Sequence, residues 1–250
     1  MTEPSRAAAE PGRAAVGGAE PEVVLAGGNM TPVVRVGDTV RRRAGPWTPT
    51  IHALLRHVRT AGFTLGPEPL GLDGHGREIL SLLPGRVATY PLPAFVLSDA
   101  MLATVARTLR AYHDATAGFA GPAEPVWQWP ATEPAEVVCH NDFAPYNLAF
   151  RDGLPVGAID FEAASPGPRA WDLAYLAYRL VPLAHPSNPD LPLQPDPEAR
   201  LARLCDAYGD IDPAAVLALV PPRLDALAAG APPAHAARYR ADAAYLRARG

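Results

Sequence analysis

The chain contains no lysine, and all 22 of its basic residues are arginine. Any phosphate-binding cation in this chain must therefore be an arginine, which stays charged and offers a planar fork of hydrogen-bond donors. The net charge is -4, and no basic cluster is evident beyond residues 41–43. This charge balance argues against a nucleic-acid partner, because a negative chain has no general attraction to phosphate backbones.

Cysteine is scarce as well, with only Cys139 and Cys205 and no C-x-x-C spacing. Their number and spacing argue against a disulfide framework and a zinc site, and they favour a reducing compartment. The N-terminus lacks the apolar core of a signal peptide, and no stretch approaches the roughly 18 apolar residues of a membrane span. We therefore predict a cytoplasmic protein without membrane contact.

The 250 residues are 48% hydrophobic, which is enough to bury a sizeable core, and 30 prolines indicate many loops. Residues 1–20 carry almost no large apolar side chain, so we predict a disordered tail there. The remaining chain divides by pattern into residues 21–85, with short strands and one helix, and residues 86–250, which are mostly helical. This order predicts an α+β protein with two lobes.

In the first of these parts, β-branched runs at 23–25, 33–36 and 39–42 predict three antiparallel strands. Thr48 and Pro49 mark the start of a helix, and an apolar run at 79–83 reads as a strand leading to the second part. In the second part, Ser98 is a predicted helix cap. Residues 148–159 have the pattern of a β-hairpin. Further helices are predicted over 171–181, 198–208, 213–229 and 234–249.

The hairpin carries the chemically informative residues. Its strands begin near Asn147 and finish near Asp160, which brings both side chains to the same open end. Asp142 lies on the loop that enters the hairpin, and Glu162 follows Asp160 by two residues. Magnesium prefers oxygen ligands and usually completes its shell with nucleotide phosphates, so this set predicts a Mg²⁺ site. Taken singly, Asp142 and Asn147 are better explained as ordinary loop residues and Asp160 as the end of a strand, so the prediction depends on the joint pattern.

Three ordered motifs carry a family resemblance. The run H-N-D-F-A-P-Y-N over 140–147 resembles the H-x-D-x-x-x-x-N catalytic loop of the aminoglycoside phosphotransferase and choline kinase family, whose members are relatives of protein kinases. The run I-D-F-E over 159–162 is similar to that family's metal-binding segment, and residues 166–174 are similar to the segment that follows it. Three such motifs within about 35 residues are more specific than any one alone.

The resemblance implies a protein-kinase-like fold with ATP or GTP bound between a small sheet lobe and a larger helical lobe. It implies that Asp142 accepts the proton of an acceptor hydroxyl, while Asn147, Asp160 and Glu162 are the candidate metal ligands. By the same analogy His140 braces the catalytic loop rather than reacting. Asp172 is expected to hold that loop from the following helix.

The N-terminal part departs from the family pattern, because the lysine that contacts the nucleotide phosphates is missing. Arg41 falls at about that position and is our candidate replacement. Arg42, its neighbour, points to the opposite face of the strand. The rival explanation is that residues 41–43 form a solvated strand end. The helix glutamate that would pair with the lysine is also absent, since residues 50–52 are Thr, Ile and His. Gly27 and Gly28 are candidates for the loop over the phosphates, although an ordinary hairpin turn explains them equally well.

The nucleotide base is expected at Ser81, Leu82 and Leu83, the predicted hinge between the two parts, unless these residues form a plain linker.

Between residues 121 and 200 the chain has eleven acidic residues and four arginines. This excess favours a cationic acceptor such as an aminoglycoside or an amino-alcohol, although the same carboxylates also fit a solvated surface.

Two other functions compete with phosphoryl transfer. The missing lysine and glutamate also fit a nucleotide-binding pseudo-kinase regulator, and a protein that sequesters a cationic antibiotic needs no chemistry at all. The sequence does not distinguish ATP from GTP, and it indicates neither the acceptor nor the oligomeric state.

Overall fold

The computed structural model describes residues 21–25, 32–191, 194–209 and 211–249. The predicted tail over 1–20 and the pair Gly27 and Gly28 lie outside the described residues. The first elements in chain order are β1 (Val23–Leu25), β2 (Val33–Val36), β3 (Thr39–Arg43), α1 (Thr48–Thr60), β4 (Pro69–Leu72) and β5 (Arg77–Ser81). Their strands form an antiparallel sheet of order β1-β2-β3-β5-β4.

The three predicted strands of this sheet are confirmed, and β3 extends one residue further than predicted. The predicted strand over 79–83 is shifted, since β5 begins at Arg77 and ends at Ser81. The strand β4 was not predicted, because its sequence Pro-Leu-Gly-Leu combines two residues that weaken a strand pattern. The register shifts between Pro69 and Gly71, and β4 lies at the edge of the sheet.

The helix α1 begins where the sequence indicates, but its N-cap is Trp47 and Thr48 is already helical. The hydroxyl of Thr48 accepts a hydrogen bond from the backbone N–H of Gly45 at 2.9 Å. The apolar face of α1 is buried: Ile51, Leu54, Leu55, Val58. This face joins the same core as β5, so α1 is fixed against the rest of the protein by apolar contact.

The second part holds most of the helices. Its elements are β6 (Arg86–Val87), α2 (Asp99–Thr116), β7 (Val137–Cys139), β8 (Leu148–Arg151), β9 (Leu154–Ala158), β10 (Ser165–Gly167), α3 (Arg169–Leu180), α4 (Pro197–Tyr208), α5 (Pro213–Gly230) and α6 (Pro233–Arg247). The predicted hairpin is β8 and β9, which β6 extends to a three-stranded sheet, and β7 pairs with β10. The α+β class is therefore confirmed.

Packing of α3 organises the helical part. Residues 173–178 of α3 are each at most 1% exposed, and α3 contacts α5, while α2 contacts α4 and α5 contacts α6. Ser98 caps α2 as predicted, because its hydroxyl accepts from the backbone N–H of Met101. Within the described part of the chain, none of the helices has the length and hydrophobicity that crossing a bilayer requires.

The connection between the two parts runs over the hairpin. After β5 ends at Ser81, the chain reaches β6, which pairs with β8. Gly85 has φ of 95° there, and a Cβ at this position would lie 2.7 Å from the carbonyl oxygen of Phe150. The close approach and the left-handed backbone both require glycine at this position.

Candidate active site

The hairpin brings Asn147 and Asp160 to one end, as the sequence predicts. Leu148 faces Ala158 across the ladder, and the backbone N–H of Ile159 donates to the carbonyl of Asn147 at 2.9 Å. Asp160 then adopts a left-handed conformation with φ of 68°, which ends the strand and turns the chain. Aspartate tolerates this conformation better than most residues, so the local sequence suits the turn.

Asp142 lies directly beside this end of the hairpin. Its Oδ2 accepts a hydrogen bond from Nδ2 of Asn147 at 2.8 Å, and its Oδ1 accepts from the hydroxyl of Tyr146 at 2.5 Å. Burial raises the pKa of Asp142 above its ordinary value and the charge of Asp160 acts in the same direction, while the Tyr146 hydrogen bond opposes them. A carboxylate with a raised pKa is a better proton acceptor for a hydroxyl than an ordinary aspartate.

The oxygens that face this end fit a magnesium ion. Among the described residues, neither Oδ1 of Asn147 nor Oδ2 of Asp160 has a hydrogen-bond partner. Both are hard oxygen donors, and a site with two protein ligands leaves room for phosphate oxygens and water. Asn147 and Asp160 therefore fit the predicted Mg²⁺ site, and the ligand roles of Asn147, Asp160 and Glu162 stay predictions.

The catalytic loop is held from behind by Asp172, which is fully buried. Its carboxylate accepts the backbone N–H of His140 at 2.7 Å, the backbone N–H of Asn141 at 2.9 Å, and a hydrogen bond from Nε2 of His113. Although burial opposes ionisation, the hydrogen bond and charge of His113 lower the pKa of Asp172. An ionised carboxylate thus fixes the backbone that carries Asp142, in keeping with the expected role of Asp172.

His140 has a bracing position as well. Its Nε2 lies 3.0 Å from the carbonyl oxygen of Ile159, the residue before Asp160, and its Nδ1 accepts the backbone N–H of Asp142. The imidazole therefore links the catalytic loop to the metal-binding segment. It has no exposed surface, which leaves it no route to a substrate.

The structure brings Arg42, rather than Arg41, to the site. Arg42 Nη1 lies 2.5 Å from Oδ1 of Asp160 and 3.5 Å from Oε2 of Glu162. Arg41 lies on the other face of β3, where its Nη1 is 3.7 Å from Asp73. The alternation of side chains along a strand explains why only one of these neighbours can face the cleft.

Arg42 has a carboxylate partner that the sequence did not reveal. Glu78 on β5 accepts from Nε of Arg42 at 2.5 Å with one oxygen, and its other oxygen lies 2.9 Å from Nε2 of His52 on α1. Arg42 and Glu78 are paired directly across the two strands. The helix thus contributes a histidine where a glutamate was expected, and the carboxylate comes from the sheet. Glu78 alternates with the buried Leu80 on one face of β5, and a charged residue on a buried face was the signal for a partner.

The remaining predicted residues lie around this centre. Glu162 is half-buried beside Arg42, and burial raises its pKa. Leu82 donates its backbone N–H to the carbonyl of Asp38, and the side chain of Leu83 packs against Gly157 of the hairpin. Ser81 accepts the backbone N–H of Glu68 with its hydroxyl. These three residues connect the two parts of the protein, and base binding by them stays a prediction.

Several of the acidic residues counted from the sequence have structural partners away from the hairpin end. Asp190 pairs with Arg238, Asp196 caps α4, and Glu136 accepts the backbone N–H of Arg169. The positive charge of Arg179, which could not be singled out from the sequence, acts on Asp142. The cationic character of the acceptor therefore has less support from the structure than from the residue count.

Comparison with known proteins matches the segment of the chain that carries these residues. Residues 123–219 match the sequence profile of the phosphotransferase enzyme family, APH, and all three motifs lie inside this segment. The trifolitoxin immunity protein of Rhizobium leguminosarum bv. trifolii is 40% identical over 151 residues. That match covers 58% of this chain and 56% of the relative, so it spans little more than half the length of the curated protein.

Solved structures with a similar fold are kinases and phosphotransferases. An amicoumacin kinase in complex with AMP-PNP, Ca²⁺ and its ligand has a TM-score of 0.64, 12% identity, and coverage of 91% of this chain and 88% of that one. A choline/ethanolamine kinase family protein from Mesorhizobium loti has a TM-score of 0.61, 18% identity, and coverage of 92% and 89%. The kinase-like fold and the resemblance to aminoglycoside phosphotransferases and choline kinases are thereby confirmed.

Proposed function

We propose that this chain transfers the γ-phosphoryl group of ATP or GTP to a hydroxyl group of a small molecule. The observation that carries the proposal is the convergence of Asp142, Asn147 and Asp160 at one end of the hairpin, with Arg42 facing them. Phosphoryl transfer needs positioning and charge neutralisation more than covalent chemistry, and these side chains supply both.

In this reaction the acceptor hydroxyl donates a hydrogen bond to Asp142 and loses its proton to that carboxylate. The hydroxyl oxygen forms a bond to the γ-phosphorus, while the bond from phosphorus to the β-phosphate oxygen breaks and the nucleoside diphosphate leaves. Arg42 replaces the missing lysine beside the phosphates. Mg²⁺ held by Asn147 and Asp160 would supply neutralising charge for the phosphates.

The test uses the purified protein with MgATP and MgGTP and a panel of amino-alcohols, aminoglycosides and related alcohols. Product formation is followed as nucleoside diphosphate release and as phosphorylated acceptor by mass spectrometry. Asp142→Ala should lower turnover by about 100-fold or more, since general-base catalysis contributes at least that much. Asp206→Ala, which removes an exposed aspartate on α4, should leave turnover unchanged.

A nucleotide-binding regulator without transfer activity is the alternative. It would bind nucleotide but turn over none of the acceptors, and Asp142→Ala would behave like the unmodified chain. The missing lysine and glutamate motivated this alternative, and the group of Arg42, Glu78 and His52 weakens it, because a cation with its own carboxylate partner faces the site.

The similarity to the trifolitoxin immunity protein favours a second role, in which the chain protects a cell from a toxin. Protection by phosphoryl transfer requires Asp142, whereas protection by sequestration of the toxin does not. Expression of the chain and of its Asp142→Ala variant in a trifolitoxin-sensitive strain separates the two. Survival with both variants would indicate sequestration.

A further inference from the structure

A buried arginine lies among five tyrosines next to the proposed catalytic aspartate. Arg179 on α3 is 9% exposed. The tyrosine cluster around it consists of Tyr90, Tyr146, Tyr175, Tyr178 and Tyr239. The guanidinium carbon lies 5.2 Å from the ring centroids of Tyr146 and Tyr178, and slightly further from those of Tyr175 and Tyr90.

The hydrogen bonds of Arg179 all go to phenol oxygens. Its Nε and Nη2 donate to Tyr175 at 3.1 and 3.0 Å, Nη2 also donates to Tyr239 at 3.3 Å, and Nη1 reaches Tyr90 at 3.5 Å. Within the described residues no carboxylate oxygen lies within 4.0 Å of this guanidinium, whereas the buried Arg200 pairs with Asp99. A buried cation without an anion is unfavourable, because neutral phenols replace the lost hydration only in part.

Arg223 is a second buried arginine without a carboxylate partner among the described residues, but it differs from Arg179 in its access to solvent. Arg223 has no exposed surface and is enclosed by the rings of Trp129, Trp171 and Tyr175, so no ligand can reach it. Around Arg179, by contrast, Tyr90, Tyr146 and Tyr239 are only partly buried. Arg179 therefore borders solvent on the side where its cluster is open.

The tyrosine cluster connects this cation to the reacting centre. The hydroxyl of Tyr175, which accepts from Arg179, lies 2.6 Å from the hydroxyl of Tyr146. Tyr146 in turn donates to Oδ1 of Asp142. The cation thus lies three hydrogen bonds from the carboxylate that would receive the acceptor proton. A small acceptor with its hydroxyl at Asp142 can therefore extend another group to Arg179.

We propose that the acceptor carries an anionic group, a carboxylate or a phosphate, which pairs with Arg179 while its hydroxyl lies at Asp142. Arginine suits this role because its planar fork binds carboxylate and phosphate through two donors. The inference rests on the proposed phosphotransferase function and narrows it to hydroxy acids and phosphorylated alcohols. Acceptors that carry only positive charge are disfavoured, since Arg179 already occupies the aromatic cluster that could surround a cation.

The experiment compares acceptors in pairs that differ in one charge: L-serine with L-serinamide, L-homoserine with L-homoserinamide, and D-glycerate with D-glyceramide. Glycerol 3-phosphate paired with glycerol tests the phosphate. Phosphorylation and the thermal stabilisation of the nucleotide-bound protein are both measured. We expect at least one acceptor that carries the carboxylate or phosphate to exceed its partner without that group by 10-fold or more in kcat/KM or in affinity, and Arg179→Gln to abolish that preference.

Controls distinguish the possible failures. Arg179→Lys keeps a positive charge and should retain part of the preference, which covers the case in which Arg179→Gln does not fold. Arg200→Gln removes a buried arginine elsewhere and should leave the preference intact. Equal use of acceptors with and without the anionic group, no tighter binding of any acceptor that carries it, or a preference that survives in Arg179→Gln would each overturn the inference. Nucleotide turnover that depends on Asp142 but ignores anions would overturn it while leaving the phosphotransferase function standing.

Discussion

Replacing Glu78 with glutamine tests whether a sheet carboxylate has taken over the role of the missing helix glutamate. The substitution keeps the shape of the side chain but removes the charge that faces Arg42 and His52. The Glu78 side chain is only 4% exposed and that of Arg42 12%, so water replaces little of the lost interaction. Removing one member of a buried ion pair costs about 3–5 kcal/mol. Arg42 keeps its contact with Asp160, and we therefore expect a loss near the lower limit, about 3 kcal/mol.

The measurement is urea unfolding of the two proteins, in which the midpoint should fall without a change in slope. The loss should also depend on pH. Burial opposes the ionisation of Glu78, but its hydrogen bond with His52 and the charge of Arg42 outweigh burial and lower its pKa. Such a group stabilises the fold above the unfolded-state pKa of about 4.3, and this contribution is lost as the pH falls through the lower folded-state pKa. The difference between the two proteins should therefore be full at pH 7 and shrink in acid.

Glu68→Gln provides the matched control, since Glu68 forms an exposed pair with Arg59 at 3.6 Å. This change should cost less than about 1 kcal/mol. We also expect Glu78→Gln to weaken nucleotide binding, measured by titration with a non-hydrolysable ATP analogue, because Arg42 loses the group that orients it. Equal stability and equal nucleotide affinity in Glu78→Gln and Glu68→Gln would refute the assignment of Arg42 and Glu78.

Two further substitutions test the catalytic loop. Tyr146→Phe removes a hydrogen bond that lowers the pKa of Asp142. The acidic limb of the pH profile of kcat/KM should therefore move to higher pH. A limb that stays in place or moves to lower pH would contradict the role of Asp142 as base. Asp172→Asn removes the buried charge that binds the backbone of His140 and Asn141. We expect this substitution to lower the free energy of unfolding by about 3 kcal/mol. It should also reduce kcat more than it changes nucleotide affinity. Wild-type stability together with wild-type kcat would exclude a bracing function.

The parts of the fold that follow from local pattern could be predicted from the sequence. The hairpin and the helix that starts after Ser98 have clear turn or capping residues, and the three motifs placed Asp142, Asn147 and Asp160 at one end of the hairpin. The edge strand β4 could not be predicted, because Pro69 and Gly71 hide a strand that exists only through pairing with β5.

The choice between Arg41 and Arg42 depended on a property that the sequence alone does not contain. Both residues fit the same strand, and which one faces the cleft is decided by the register of β3 against β5. The partner of Arg42 lies 36 positions away along the chain. Arg179 was missed for a similar reason, since Tyr90, Tyr146 and Tyr239 reach it from three other segments of the chain.

The arrangement around Arg42 shows how a chain without lysine can keep a fixed cation at this site. Arg42 and Glu78 are direct neighbours on adjacent strands, so their pairing needs only the register of β3 and β5. The helix α1 contributes His52, which contacts the second oxygen of Glu78 and not the arginine itself. A displacement of α1 would therefore remove one hydrogen bond from Glu78 and leave the ion pair in place. A lysine whose carboxylate partner lies on the helix loses its pairing when the helix moves. In this protein Arg42 is thus fixed by the sheet, and a movement of α1 alone would not release it from Glu78.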